Sequence, residues 1–412
     1  MQQSNIIEKI KIRTLYLFVF LLCFQKLRLF NSPYLNFTWV GYFSYFFANL
    51  LTIKKSFALD KDILKYLIPI SIYWCLVVIM NYINYEPDTE LIYAEIRQEL
   101  MGIALLWMML NHIKNNVDLH KKLLYYFIFS IATLVFLYVI GIQVSYSDEG
   151  RISILGINSN EIALWSGIAI LILINELVNI KNTKNIFLNN KISIVLLIIF
   201  LFFIIAKTGS RGGLISFSFG YIVYFIAVNK TLKTKLIILI ISTFIGVIGI
   251  NLIINSSVMK NRIDTQKQDQ SLGGRMPIWE TTIDMINENP LFGVGPGKYE
   301  MRFREKGGFV NTHNEYLTIL VYTGFLGLLN ILVFFFQLLK GIIKSKNKMY
   351  SPLMYSLFLM YIIYLTNAGG SLPALTTWFL FGIIATHGNI SRFKKKPQRY
   401  NVTNYNKPNI II

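Results

Sequence analysis

Three residues of this chain are of types that bind a polyphosphate and move a proton: Arg211, Arg275 and His313. A guanidinium grips phosphate oxygens in pairs and stays charged at any working pH, whereas an imidazole can accept a proton near neutrality. Arg211 lies in the short polar turn Lys207-Thr208-Gly209-Ser210-Arg211-Gly212-Gly213, between two apolar runs. Arg275 and His313 lie near the two ends of a later polar stretch, and Asn314 and Glu315 come directly after the histidine. An earlier polar turn adds Arg151 and then Asn158-Ser159-Asn160-Glu161, where Asn or Ser suits a helix start. Several arginines gathered on one face suit a diphosphate, with Arg151, Asn160 and Asn314 as further substrate contacts.

Each of these residues also has an ordinary reading. Arg211 can be a snorkelling residue at a bilayer edge, Arg275 a solvated loop charge and His313 a helix-start histidine. Arg151, Arg302 and Arg304 can be electrostatic background, and Trp279 an interfacial anchor. The glycines at 293, 295 and 297 form a tight turn after Asn289-Pro290. They make a poor nucleotide cradle, because no strand precedes them and Pro296 interrupts them. No single residue decides the matter; order and spacing must.

The elements that position these groups are membrane helices. The chain has 412 residues, of which 54% are hydrophobic and only 15% charged, and its mean hydropathy is +0.51. Apolar runs of helix-spanning length fall near 14–30, 34–53, 63–83, 91–110, 123–144, 159–179, 191–206, 212–228, 236–254, 316–339, 350–367 and 373–388. The expectation is an all-α integral membrane protein of about twelve spans. Spans one to nine occupy 1–254, a long external loop 255–315, spans ten to twelve 316–390, and a basic, disordered tail 391–412. The 91–110 run carries Glu95, Arg97 and Glu99 and is the least regular. The net charge of +19 is spread over short loops, which is the mark of bilayer orientation and not of nucleic-acid binding. Lysines before the first span and after the second, fourth, sixth, eighth and tenth put both termini in the cytoplasm and the long loop outside. Within that loop, Pro277 opens a helical stretch whose stripe Ile278, Trp279, Thr282, Ile283 and Ile286 is expected to lie on the membrane surface. Cys23 and Cys75 both fall inside predicted spans, and no Cys/His cluster points to zinc or any other metal. No cofactor is expected.

The ordered set of motifs resembles the bacterial O-antigen ligase and O-antigen polymerase superfamily. Its pieces are Gly209-Ser210-Arg211-Gly212-Gly213, Gly274-Arg275-Met276-Pro277-Ile278-Trp279, Asn289-Pro290-Leu291-Phe292-Gly293-Val294-Gly295, Thr312-His313-Asn314-Glu315-Tyr316 and Tyr322-Thr323-Gly324-Phe325-Leu326-Gly327. Ile157-Asn158-Ser159-Asn160-Glu161 looks like the family's Asn-rich segment at an earlier helix start. The resemblance implies a multi-pass inner-membrane glycosyltransferase. Such a protein moves a glycan from undecaprenyl diphosphate to a hydroxyl acceptor, lipid A-core or another glycan, on the outer membrane face. It implies inversion without a metal, Arg211 and Arg275 at the diphosphate, and His313 as the loop histidine. A lipid-linked glycan flippase or other polysaccharide transporter shares the helix count and basic lipid-facing pockets. It has no need of the Arg275–His313 loop and would more often show repeated halves.

Overall fold

The structure is a computed structural model. It describes residues 2–29, 36–84, 90–116, 118–147, 150–179, 191–229, 231, 235, 275–305, 311–345, 347–367 and 371–393. The predicted span at 236–254, the loop segment 255–274 and most of the tail lie outside the described residues. In chain order the helices are α1 (Gln2–Leu21), α2 (Phe37–Leu50), the short α3 (Ile53–Ser56), α4 (Lys61–Ile83), α5 (Glu90–Asn115) and α6 (Leu119–Val139). They continue as α7 (Ser159–Val178), α8 (Lys191–Thr208), α9 (Arg211–Ala227), α10 (Met276–Glu288), α11 (Pro296–Glu305), α12 (Glu315–Lys344), α13 (Ser351–Leu365) and α14 (Leu375–Phe393).

Among the described residues, α4, α6, α7, α8 and α12 are long and apolar enough to cross a membrane, and α9, α13 and α14 are shorter apolar helices. The expected count of twelve is not reached by that measure. α1 starts at Gln2, well before the apolar run, and α2 is only 14 residues long. Polar caps begin many of the helices: the side chains of Asn36, Asp60, Asn158, Ser210 and Asn314 each accept a backbone N–H of the helix's first turn.

Long helices consecutive in the chain run in alternate directions, and side-chain bonds sort their ends into two groups. At the end holding the N-terminus, Lys11 donates to Ser56 at 3.0 Å, and Glu176 at the foot of α7 accepts from Tyr125 and Tyr350, both at 2.7 Å. At the opposite end, Thr38 bonds Leu21, Gln25 bonds Glu161, and the Ser371 N–H donates to Glu315. The family motifs that fall among the described residues lie toward this second end.

Two features depart from the all-helical expectation. The turn after α6 forms a two-stranded antiparallel hairpin, β1 (Val144–Tyr146) and β2 (Ile152–Ile154), and the predicted span 123–144 accordingly stops at Val139. Ile152, Ile154 and Ile157 are fully buried, so this turn is anchored in the core and holds its shape. The second feature is a break in α12. Gly324 adopts φ 62° and ψ −163°, a conformation essentially closed to other residues. The backbone groups the break sets free are paired by the segment 290–294. Phe325 N donates to the Pro290 carbonyl at 2.9 Å, Leu326 N to the Leu291 carbonyl at 3.2 Å, and Val294 N to the Val321 carbonyl at 2.8 Å. Irregular backbone at a membrane helix persists only where protein satisfies it in this way. The approach is close: a Cβ on Gly293 would stand 2.6 Å from Thr323 N, and one on Gly324 2.3 Å from the Leu291 carbonyl carbon.

The glycine turn is therefore a structural joint. Its third member, Gly297, does not belong to it, since Pro296 starts α11 and Gly297 is helical. α10 uses its expected stripe except at Ile283, whose place Met285 takes. Thr282, Met285 and Ile286 are buried, whereas Ile283 is 47% exposed. Met285 and Ile286 pack with Val294, Tyr299, Phe303, Val321 and Tyr322 in a small second core, so α10 buries its apolar face against α11 and α12.

Candidate active site

The first half of the site is built where α7, α8, α9 and the hairpin meet. Gly209, with φ 59°, turns the chain between α8 and α9. Ser210 then caps α9, its Oγ accepting Gly213 N at 3.1 Å, so Arg211 is the first helical residue. Ser210 Oγ also donates to Asn160 Oδ1 at 2.8 Å. The same Asn160 oxygen accepts Arg151 Nη2 at 2.9 Å, and Arg151 Nε donates to the Thr208 carbonyl at 3.2 Å. Asn160 in turn is held by its neighbour Asn158, whose Oδ1 accepts Asn160 N at 2.9 Å. Arg151 and Asn160, expected from one polar turn, thus join Ser210 in one cluster, and Arg211 follows Ser210 as the first residue of α9. The Arg151 guanidinium and the positive end of α9 give it a positive field.

The second half is the loop leading into α12. His313 holds a left-handed backbone, φ 51°, which histidine tolerates better than most residues. Its amide donates to Asn311 Oδ1 at 2.7 Å. Thr312, beneath it, is buried. The Thr312 hydroxyl lies 2.7 Å from Thr318 Oγ1 and accepts Asn314 N at 3.0 Å. Asn314 Oδ1 accepts Tyr316 N and Leu317 N and caps α12. Arg275 stands at the start of α10, and Trp279, one turn later, donates from Nε1 to the Thr312 carbonyl at 2.8 Å. Trp279 therefore fastens the arginine's helix to the histidine's loop.

Arg275 and His313 sense each other. Burial pushes the imidazole below its usual value of 6.5, and the nearby Arg275 charge pushes it further down. His313 is thus kept neutral and able to accept a proton at neutral pH.

The connection from α13 to α14 joins the halves. Asn367, just past α13, packs at the start of α9, where a Cβ on Gly212 would lie 3.0 Å from it. Ser371, before α14, donates its N–H to Glu315 Oε2 at 2.7 Å. Arg302 and Arg304, expected to be background, are both engaged in ion pairs from α11. Arg302 pairs with Glu288, as Lys298 does, and Arg304 pairs with Glu300.

Three groups inside the quoted motifs carry structural roles that the motifs do not state: the Ser210 hydroxyl, the Thr312 hydroxyl and the Trp279 indole N–H. A serine directly before Arg-Gly-Gly at a helix start is a visible capping signal. The Trp279–Thr312 bond spans 33 residues, and nothing local announces it.

Residues 196–332 match the family model described as O-antigen ligase. The match takes in Arg211, Arg275, His313 and both parts of the joint between 290–294 and 321–326. An uncharacterized protein of Haemophilus influenzae is 26% identical over 166 residues, 34% of this chain. The chain spans 41% of that relative's length.

Proposed function

From the O-antigen ligase domain that the chain carries at residues 196–332, we propose that it is a membrane glycosyltransferase using a polyprenyl-diphosphate-linked glycan. The donor is an undecaprenyl-diphosphate-linked glycan, and the acceptor is a hydroxyl of lipid A-core or of another glycan. The reaction takes place on the outer face of the inner membrane, where the lipid tail can stay in the bilayer. The observation that carries this reading is that the matched segment takes in Arg211, Arg275 and His313, with the helix that starts at Arg275 tied to the His313 loop by the Trp279–Thr312 bond.

The chemistry asks little covalent work of the protein. The acceptor oxygen attacks the anomeric carbon, and the bond from that carbon to the phosphate oxygen breaks. The bonding electrons leave on the diphosphate. Arg211 and Arg275 stabilise that growing charge, with Arg151 contributing to the same field. The proton of the attacking hydroxyl passes to His313, and Asn314 helps to fix the loop that presents it. Attack opposite the leaving group inverts the sugar carbon in one step, without a metal.

Transfer from a lipid-linked donor by the purified protein tests this. Arg211→Lys keeps the charge but loses the two-pronged grip and should cut transfer clearly. His313→Ala should slow it by about 10²-fold with donor binding little changed. Full transfer by Arg211→Ala and Arg275→Ala at equal expression would refute the donor site, and an unchanged rate in His313→Ala would remove the base. A chelator should leave the rate untouched.

A further inference from the structure

We infer that Asn160 is a positioning residue that holds Arg211 through Ser210. The inference rests on the reading of Arg211 as a diphosphate ligand. An amide oxygen has two lone pairs, and both on Asn160 are taken, one by Arg151 Nη2 and one by Ser210 Oγ. The Ser210 hydroxyl is equally committed. It spends its proton on Asn160 and its lone pair on Gly213 N.

The commitment of Ser210 bears directly on the helix it starts. The first turn of α9 is Arg211-Gly212-Gly213, and two glycines give a turn little helical preference of their own. They are there for closeness: a Cβ on Gly213 would stand 2.6 Å from the Ala163 Cβ of α7. A first turn so made depends on its cap, and the cap is aimed by Asn160. The turn before it is fixed from the same cluster, since Thr208 Oγ1 accepts Ser210 N at 3.2 Å and the Thr208 carbonyl accepts Arg151 Nε. Arg151, Asn160, Ser210 and Gly213 form one chain of hydrogen bonds across three elements. Arg211, the donor-side group of the proposed reaction, is aimed from the far end of that chain.

The test is the donor dependence of transfer by the full-length protein in lipid nanodiscs, with a polyprenyl-diphosphate-linked oligosaccharide as donor. Asn160→Ala and Ser210→Ala should each raise the donor KM by about tenfold, the value of one well-placed buried hydrogen bond, with a smaller change in kcat. Ser210→Thr keeps the capping oxygen and should restore KM to within about twofold. Adding Asn160→Ala to Arg211→Lys should cost less than the product of the two single effects, because both act on one guanidinium contact. Full multiplication would overturn the inference, since Asn160 would then act on the substrate by itself. A normal donor KM in Asn160→Ala beside a raised one in Arg211→Lys would overturn it too, while leaving the donor site standing. A normal KM in Arg211→Lys and Arg211→Ala removes the donor site and this inference with it. Should Asn160→Ala fail to fold, the contrast between Ser210→Ala and Ser210→Thr carries the test, and equal KM values in that pair would refute the latch.

Discussion

His313 combines two costs that few residues bear together: a left-handed backbone and a half-buried, positively biased surrounding. A left-handed conformation costs an L-residue roughly 1–2 kcal/mol, and here the Thr312 and Asn311 bonds hold it. The biased surrounding has a sign that can be worked out. Burial and Arg275 both disfavour the imidazolium, so the neutral base survives to lower pH than a free histidine would allow. If His313 takes the acceptor proton, kcat/KM should rise with pH along an acidic limb below 6.5 and be flat at neutrality. Arg275→Gln removes one repelling charge and should move that limb to higher pH, beyond lowering the rate. A pH–rate series on both proteins checks this. A rate that falls as the limb is crossed upward would mean that the charged imidazolium is the working form, and His313 would become a phosphate ligand. The types of Arg211, Arg275 and His313 were legible from the sequence because their chemistry belongs to the side chain. Their supports were not. Ser210 and Thr312 act through hydroxyls that any loop could carry, and the role of Asn160 as a strut shows only once its bonds to Arg151 and Ser210 are seen.

At the scale of elements, Trp279 ties α10 to the histidine loop. Trp279→Phe keeps most of the ring's packing and loses the N–H to the Thr312 carbonyl, a net loss of about 1 kcal/mol. Transfer should fall several-fold while the melting temperature changes little. An unchanged rate would show that the loop is held by Thr312 and Asn314 alone. Gly324 is the other element-scale control. Gly324→Ala puts a methyl group into the Leu291 backbone and at a backbone angle alanine resists. The segment at 290–294 should come away from α12, and limited proteolysis should cut it faster than in the unaltered protein, with transfer lost. Equal cleavage rates would refute the joint. The helices themselves were largely readable, since long apolar runs of helical length admit few other structures in a bilayer. The hairpin was hidden because strands of three residues leave no periodic signal. The buried face of α10 was read correctly but for one position, where Met285 packs inward against α11 and α12 and Ile283 is exposed. The two glycine motifs were visible as motifs, but that they mate is a long-range fact with no trace at either site alone.

At the scale of the molecule, the bundle has a structured end carrying the site and an opposite end rich in lysine. The orientation expected from loop charge puts the site outside the cell membrane. A single cysteine at Glu280, exposed on α10, in a Cys23→Ser/Cys75→Ser background should label with an impermeant reagent added to intact cells or spheroplasts. Labelling only after the membrane is opened would reverse the orientation and sink the proposed reaction. The joint at Gly324 has one more bearing, on how such proteins can change. It is made of main-chain bonds alone, so it prescribes shape and leaves most side chains free. It also pins together the two ends of a stretch that holds α11 and the His313 loop. A stretch pinned in that manner can be exchanged between relatives as a cassette: insertions inside it need not strain the spans, provided each end keeps its half of the clasp. Recombination that splits the clasp leaves a membrane helix with a gap in its backbone pairing. Natural variation in the acceptor should therefore be written between residues 295 and 321, and variation in the donor lipid outside them.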